Sequence, residues 1–245
     1  YGSGFLRNFS EWGFNLVVLN GEEFSGQEIG SYNLECVSFL DISNEEGVYL
    51  LMGIASGMFG NDSEQREQNI QQLIECRYRN PSFIGFISDE PAWGYFGNNG
   101  TNLTPEEHNQ LFQDLKDRDP FNHILWINEA PTTTGERPLN RTLYESHIDS
   151  YNISDVKSID IYPTENRMGG HCFIPPPDIP EKISCAGEYV DILREIVEDE
   201  LPIGMVLIGG DNDTEKSRFM AYQSIVHGAK GLVWWSNYEG PSPEI

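Results

Sequence analysis

The sequence has few basic residues. Its 245 residues include 15 Lys and Arg against 39 Asp and Glu, which gives a formal net charge of −24 at pH 7. A surface this acidic repels the phosphates of nucleic acids and the anionic headgroups of lipids, so neither is expected as a partner. The sequence also lacks an apolar run near the ~20 residues that a spanning helix needs, and no membrane insertion is expected.

Cysteine is scarce, and its spacing does not favour a metal site. The four cysteines show no CxxC spacing, and no HxxxH pair occurs, so neither a zinc site nor another cofactor is expected. Four cysteines allow three disulfide pairings. Cys172 and Cys185 bracket a run of three prolines that cannot form a helix or a central strand. A local bridge between these two is therefore predicted, which leaves Cys36 to pair with Cys76.

The pattern Asn-x-Ser/Thr, by contrast, is abundant. It occurs seven times, where chance predicts roughly two occurrences. The excess indicates a eukaryotic secreted glycoprotein, a compartment in which the cysteines would form disulfides. The predicted acceptors are Asn8, Asn61, Asn99, Asn102, Asn140, Asn152 and Asn212.

Short runs rich in Val, Ile, Leu and aromatic residues recur along the chain, roughly 36 residues apart on average. Nearly continuous apolar runs of this length are typical of parallel strands that are buried on both faces. The runs are Phe14–Leu19, Val48–Ile54, Phe83–Ser88, His123–Asn128, Val156–Tyr162, Ile203–Ile208 and Gly231–Trp235.

Helices are predicted between these runs. Thr104-Pro105-Glu106-Glu107 is a capping box with proline at the first helical position. Elsewhere, apolar residues at helical spacing predict helices over residues 5–12, 63–78 and 186–201, and from Asp213 or Thr214 to a stop at Gly228.

Alternating strands and helices at this period predict an α/β fold, either an open doubly wound sheet or a (β/α)8 TIM-type barrel. The open sheet is disfavoured because neither a Gly-x-Gly-x-x-Gly turn nor a Walker loop follows a strand. A barrel needs eight strands and seven are visible, so the first strand is expected before residue 1. We therefore predict one barrel domain over residues 1–245, truncated at both ends.

Polar and aromatic residues follow several of the predicted strands. In barrels the active site lies at the C-terminal ends of the strands. Carboxylates that transfer protons, beside aromatics that stack on sugar rings, are what a glycoside site needs. The segments concerned are Ser88-Asp89-Glu90-Pro91-Ala92-Trp93, Asn128-Glu129-Ala130-Pro131, Asp160-Ile161-Tyr162-Pro163, Gly209-Gly210-Asp211 and Trp234-Trp235-Ser236-Asn237.

The segment Phe83–Pro91 resembles the fourth strand of barrel glycoside hydrolases of the cellulase and β-galactosidase superfamily. In that superfamily an Asn-Glu-Pro or Asp-Glu-Pro segment presents the acid/base glutamate. His227–Trp235 resembles the ending of a poorly characterised branch with the sequence Gly-Ala-Lys-Gly. The resemblance implies Glu90 as general acid/base. The residues implied or expected to line the sugar site are Asp89, Trp93, Asn128, Tyr162 and Trp235.

The sequence departs from that family at the seventh strand of the barrel. Retaining members carry a nucleophilic glutamate there, whereas this segment ends Ile208-Gly209-Gly210-Asp211. The second carboxylate is therefore sought among Asp211, Glu129 and Asp160. Retaining chemistry needs the two carboxyl groups ~5–5.5 Å apart, whereas inverting chemistry uses ~6.5–9.5 Å.

Two hypotheses follow from the sequence. The first is an extracellular glycoside hydrolase that cleaves a glycan at the barrel rim with Glu90 as proton donor. The alternative is a non-catalytic barrel that serves as a carbohydrate-binding or structural glycoprotein, with self-association or matrix partners. The missing glutamate, the glycosylation motifs and the acidic surface favour this alternative.

Overall fold

The structure is a computed structural model of the whole chain. It describes residues 3–11, 13–19, 40–54, 64, 67–68, 70–71, 80–92, 94–95, 103–130, 141–161, 185–208 and 214–235.

Seven strands lie in one sheet, in the same order as in the chain. The register is parallel between the first three strands and between the last three. The strands are β1 (Leu16–Leu19), β2 (Tyr49–Ile54), β3 (Phe83–Asp89), β4 (Ile124–Glu129), β5 (Val156–Ile161), β6 (Ile203–Ile208) and β7 (Gly231–Trp235).

Helices alternate with these strands. Residues 40–46 are helical between β1 and β2, and residues 64, 67–68 and 70–71 are helical between β2 and β3. The longer described helices are α1 (Ser3–Glu11), α2 (Pro105–Arg118), α3 (Arg141–Ser150), α4 (Cys185–Ile196) and α5 (Thr214–Val226).

The predicted α/β alternation is confirmed. All seven apolar runs form strands, with ends that shift by at most two residues. The helix predicted at the capping box begins at Pro105, as expected. The helix over residues 40–46 and α3 were not predicted. The eighth strand, expected before residue 1, stays a prediction.

The chain divides into two compact units. Unit 1 comprises Tyr1–Asp89 and Glu107–Trp126, and unit 2 comprises Glu90–Glu106 and Ile127–Ile245. The prediction of a single domain over residues 1–245 is not tested by this division.

In unit 1, β3 carries an irregularity opposite β2. Leu50 pairs with Phe83 and Leu51 pairs with Gly85, so that Ile84 is skipped. An extra residue of this kind is a β-bulge, a position where glycine is common because the backbone approaches its neighbour closely. Gly85 has φ +153° and lies against the backbone of Ile124.

The core of unit 2 fixes which way its strands face. Ile159 and Ile161 of β5 and Met205 of β6 pack in one buried cluster with Tyr189 of α4 and Tyr144 of α3. These odd-numbered strand residues therefore face the helices. Because side chains alternate along a strand, the even-numbered residues of β5 lie on the opposite face of the sheet.

Candidate functional site

Five of the nine predicted site residues are fully described: Asp89, Glu90, Asn128, Glu129 and Asp160. Trp235 ends β7, but its side chain lies outside the described residues, as do Trp93, Tyr162 and Asp211. Cys36, Cys76 and Cys172 also lie outside them. Cys185 begins α4 with its side chain not described, so neither disulfide is tested.

Glu90 lies immediately after β3, in a strained turn. Its φ is 45°, a left-handed conformation that residues other than glycine seldom adopt. Its backbone N–H donates to the carbonyl oxygen of Asn128 at 2.8 Å, and its own carbonyl accepts from the N–H of Gly94 at 2.9 Å. The side chain is half-buried. A left-handed conformation of a residue other than glycine is unfavourable and persists only where neighbouring groups hold it. Such residues cluster at functional sites.

Tyr151 holds the next residue of this turn. Its side chain is fully buried, and its hydroxyl lies 3.2 Å from the carbonyl oxygen of Pro91 and 3.4 Å from that of Leu103. Burial raises the pKa of Tyr151, and the negative charge of Glu129 raises it further. The hydroxyl therefore stays protonated at neutral pH, as a donor to these carbonyls must.

Glu129 holds the third residue of the turn. Its carboxylate Oε1 accepts from the backbone N–H of Ala92 at 3.1 Å, and only 1% of Glu129 is exposed. Three consecutive residues, from Glu90 to Ala92, are therefore each tied to a different group. We call this segment the Glu90 turn.

Asp160 lies on a different face of the sheet from Glu129. It sits between Ile159 and Ile161, which face the helices, so its side chain points the other way. Ser158 shares that face with Asp160, and its Oγ donates to Asn128 Oδ1 at 2.8 Å. Asn128 thus lies on the face of Asp160, and Glu129, the next residue, is placed on the side of the helices.

The charge of Glu129 acts on Tyr144 and Lys157, both of which lie on the side of the helices. Burial raises the pKa of Tyr144 in α3, and the charge of Glu129 contributes next, ahead of Asp160. Lys157 is buried and donates from Nζ to the carbonyl oxygen of Ile148 at 2.9 Å. Burial lowers the pKa of Lys157, while the negative charge of Glu129 acts against that shift.

Asp89 ends β3 in unit 1 and is exposed. The residue before it is anchored, because Ser88 Oγ lies 2.9 Å from Nε2 of His108, and both side chains are buried. Burial lowers the pKa of His108 to about 3, so its ring is neutral at pH 7. The end of β3 is thereby fixed against α2.

Sequence reasoning missed Tyr151, Lys157 and Ser158. Lys157 offered a signal, since it is a lysine within the run Val156–Tyr162, which was predicted to be a buried strand. A buried lysine must have a specific partner. Neither Tyr151 nor Ser158 stands out in the sequence. Within the part of the chain that the structure describes, no cluster of His, Cys, Asp or Glu could hold a metal ion.

We expect a Tyr151→Phe variant to lose ~1–2 kcal/mol of folding free energy, because a buried hydrogen-bonded hydroxyl is removed from the Glu90 turn. Chemical denaturation would measure the change. Tyr222→Phe is the matched control, since Tyr222 is 68% exposed on α5. Equal transition midpoints for the two variants would show that the Tyr151 hydroxyl does not stabilise the turn.

Solved structures of GH5_18 proteins share this fold. The GH5_18 protein from Streptomyces cattleya, in complex with GlcNAc, is 13% identical with a TM-score of 0.60, over 96% of this chain and 66% of that one. A variant of the GH5_18 protein from Bifidobacterium longum, in complex with Manb1-4GlcNAc, is 11% identical with a TM-score of 0.65, over 99% and 65%. This chain thus spans about two thirds of those chains.

The likeness extends to a different class of enzyme. A D-psicose 3-epimerase, solved in the presence of D-fructose, is 9% identical with a TM-score of 0.53, over 98% of this chain and 81% of that chain. No protein-family model matches the sequence, and no curated protein matches it. Because these sequence identities are low, the likeness shows the fold alone. The fold consists of parallel strands alternating with helices, as in TIM-barrel glycoside hydrolases of family GH5.

Proposed function

We propose that this chain is a glycoside hydrolase-like protein that binds and cleaves a glycan at the C-terminal ends of its strands, with Glu90 as general acid/base. The observation that carries the proposal is the Glu90 turn. A carboxylic acid directly after a parallel strand is held in a left-handed backbone conformation by groups from β4 and Tyr151. Backbone that is strained and firmly held is what a positioned catalytic acid requires.

The proposal includes a complete barrel. The seven strands would be seven of the eight strands of a (β/α)8 barrel that forms a single domain over residues 1–245. In such barrels the sheet face away from the helices lines the interior, and side chains at its C-terminal edge reach the substrate. Asn128, Ser158 and Asp160 are on that face by the alternation of β5 and the bond between Ser158 and Asn128.

The glycan would contact side chains around this edge. We propose Asn128 as a contact because its carbonyl already accepts from the N–H of Glu90, which places its backbone beside the acid. The other proposed contacts are Asp89, Trp93, Tyr162 and Trp235.

The second carboxylate is proposed to come from Asp211, Glu129 or Asp160. Asp160 is supported by its burial, since only 4% of it is exposed, and by its place beside Ser158. The distance from the Glu90 carboxyl group to this partner would separate retaining from inverting chemistry. Activity toward aryl glycosides and polysaccharides tests the proposal, with Glu90→Gln as the decisive variant.

One sequence feature favours a second candidate function, a non-catalytic barrel that binds carbohydrate. β6 ends at Ile208 and is followed by Gly209-Gly210-Asp211, without the glutamate of retaining relatives. Such a protein would bind glycans at the same edge without cleaving them. Binding that persists in a Glu90→Gln variant of an inactive parent would support this candidate.

We propose an extracellular location, reached through the eukaryotic secretory pathway. Of the seven predicted acceptor asparagines, Asn8 and Asn152 lie in the described part of the chain, and both are exposed. The other five lie outside the described residues. Exposure is what attachment of an N-glycan requires.

Glycosylation gives a direct test of this location. We expect protein secreted from eukaryotic cells to lose the mass of several glycans on enzymatic deglycosylation. The variants Asn8→Gln and Asn152→Gln should each remove one glycan, because their side chains are accessible. Mass spectrometry of the intact protein measures both effects. A mass loss smaller than one glycan would contradict the proposed location.

None of the helices within the described residues is long and apolar enough to cross a membrane.

A further inference from the structure

Glu129 ends β4 and Asp160 is the last but one residue of β5, and the two carboxylates differ in their surroundings. Asp160 lies on the sheet face away from the helices, beside Ser158. Glu129 follows Asn128 in β4 and therefore lies on the side of the helices, where its charge raises the pKa of Tyr144 and acts against the lowering of the pKa of Lys157. Because Glu129 and Asp160 lie on opposite faces of the sheet, only one of them can face a bound sugar together with Glu90.

Glu129 has a contact that explains its position. Its Oε1 accepts from the N–H of Ala92, which is fully buried and stands two residues after Glu90. A buried N–H needs an acceptor, and the first residues of a helical turn have none within the turn itself. Residues 91–92 are helical, so Glu129 satisfies a donor at the start of that turn.

The contact also restrains the backbone conformation of Glu90. The Glu90 N–H is bonded to the carbonyl oxygen of Asn128, and the Ala92 N–H is bonded to the side chain of the following residue, Glu129. Two adjacent residues at the end of β4 therefore hold both sides of Glu90. These two hydrogen bonds, one from Glu90 and one from Ala92, hold Glu90 at its left-handed φ of 45°.

We infer that Glu129 is a positioning residue, whose carboxylate holds Ala92 and thereby fixes the direction in which the Glu90 side chain points. The inference rests on the proposed role of Glu90 as acid/base. It removes Glu129 from the candidates for the second catalytic carboxylate and leaves Asp160 and Asp211. The function required of Glu129 is to accept a hydrogen bond, which a neutral amide oxygen can also do.

Substitution of Glu129 by Gln or by Ala distinguishes a residue that positions Glu90 from one that takes part in the reaction. Gln keeps an oxygen for the Ala92 N–H but cannot act as a nucleophile or a base, and Ala removes the acceptor. We expect Glu129→Gln to retain kcat within about tenfold of the parent, and Glu129→Ala to lose ~10²-fold in kcat with KM little changed. Glu215→Ala is the control, because Glu215 is exposed on α5.

Hydrogen–deuterium exchange of peptides spanning residues 88–95 provides a readout that does not depend on activity. We expect the amides of this segment to exchange faster in Glu129→Ala and at the parental rate in Glu129→Gln and Glu215→Ala. If the parent is inactive on every glycoside tested, the proposed function fails, while this measurement still shows whether Glu129 holds the turn.

Two outcomes would overturn the inference. In the first, Glu129→Gln loses ~10²-fold or more in kcat although its amide exchange remains parental, which would make Glu129 a reacting group. In the second, exchange at residues 88–95 is unchanged in Glu129→Ala. If Glu129→Ala does not fold, the Gln variant alone decides. A reacting carboxylate predicts a large loss of kcat in Glu129→Gln, whereas a hydrogen-bond acceptor predicts that kcat is largely retained.

Discussion

A Glu90→Gln variant should cleave glycosides ~10²–10⁴-fold more slowly than the parent, the loss typical of a removed general acid. This corresponds to ~3–5 kcal/mol of transition-state stabilisation. Gln has nearly the same size as Glu, but its amide has no acidic proton to give to the departing sugar oxygen. The backbone bonds of Glu90 to Asn128 and Gly94 do not involve the side chain, so the turn should persist.

The measurement is the rate at which the aryl alcohol is released from each of a panel of aryl glycosides, with glycan binding measured in parallel. Glu107→Gln is the matched control, because Glu107 is exposed in the first turn of α2. Substrates with a good leaving group need less help from an acid, so the loss should be smaller for nitrophenyl glycosides than for natural glycans. This difference between substrates would identify a proton donor specifically.

A different result would favour the second candidate. If the parent is inert toward the whole panel, and a glycan binds the parent and Glu90→Gln equally well, the protein is a carbohydrate-binding barrel. An active parent whose rate is unaffected by Glu90→Gln would remove Glu90 from the reaction. In that case the strained conformation of Glu90 would serve the packing of the turn alone.

The strands could be predicted because their signal is local. A strand that is buried on both faces is mostly apolar, so the strands are visible as short runs rich in Val, Ile, Leu and aromatic residues. β6 and β7 have the predicted bounds, Ile203–Ile208 and Gly231–Trp235. α2 was equally visible, because its capping box and Pro105 mark the first turn by their chemistry.

α3 was missed because its buried face is short and largely aromatic. Tyr144 and Ile148 are each 1% exposed, and they are separated by polar residues within the ten-residue helix Arg141–Ser150. Two residues four apart are too few to distinguish a helix from a loop by periodicity. The tertiary contacts of this face, with β5 and α4, stabilise a segment whose sequence alone is ambiguous.

The candidate site was predictable only in part, because contacts between residues that are far apart in the sequence leave no local pattern. The motif Asp89-Glu90-Pro91 is contiguous, so a resemblance could find it. The groups that hold it are not contiguous: Ala92 and Glu129 are 37 positions apart, and Pro91 and Tyr151 are 60 positions apart. These pairs come into contact only once the chain has folded. A single sequence contains no signal for contacts of this kind, so it could not show that Glu129 contacts Ala92.

The second large effect is expected in β3, where a Gly85→Ala variant should lose roughly 3 kcal/mol or more of folding free energy. A Cβ at this position would overlap the carbonyl oxygen of Ile124 and lie 2.8 Å from Cγ1 of the same residue. Because one obstacle is backbone in the neighbouring strand, rotation of a side chain cannot relieve the clash. The φ of +153° adds strain for any residue with a side chain.

Gly47→Ala separates these two causes. Gly47 ends the helix over residues 40–46 with φ +70°, but a Cβ there would meet nothing within 4 Å. Only the conformational cost of ~1–2 kcal/mol should therefore appear in its chemical denaturation curve. A much larger loss for Gly85→Ala would show that close backbone approach at the bulge, between β3 and Ile124, requires glycine. Equal losses in the two variants would mean that this approach is looser than the structure describes, and that the bulge requires glycine only for its backbone angles.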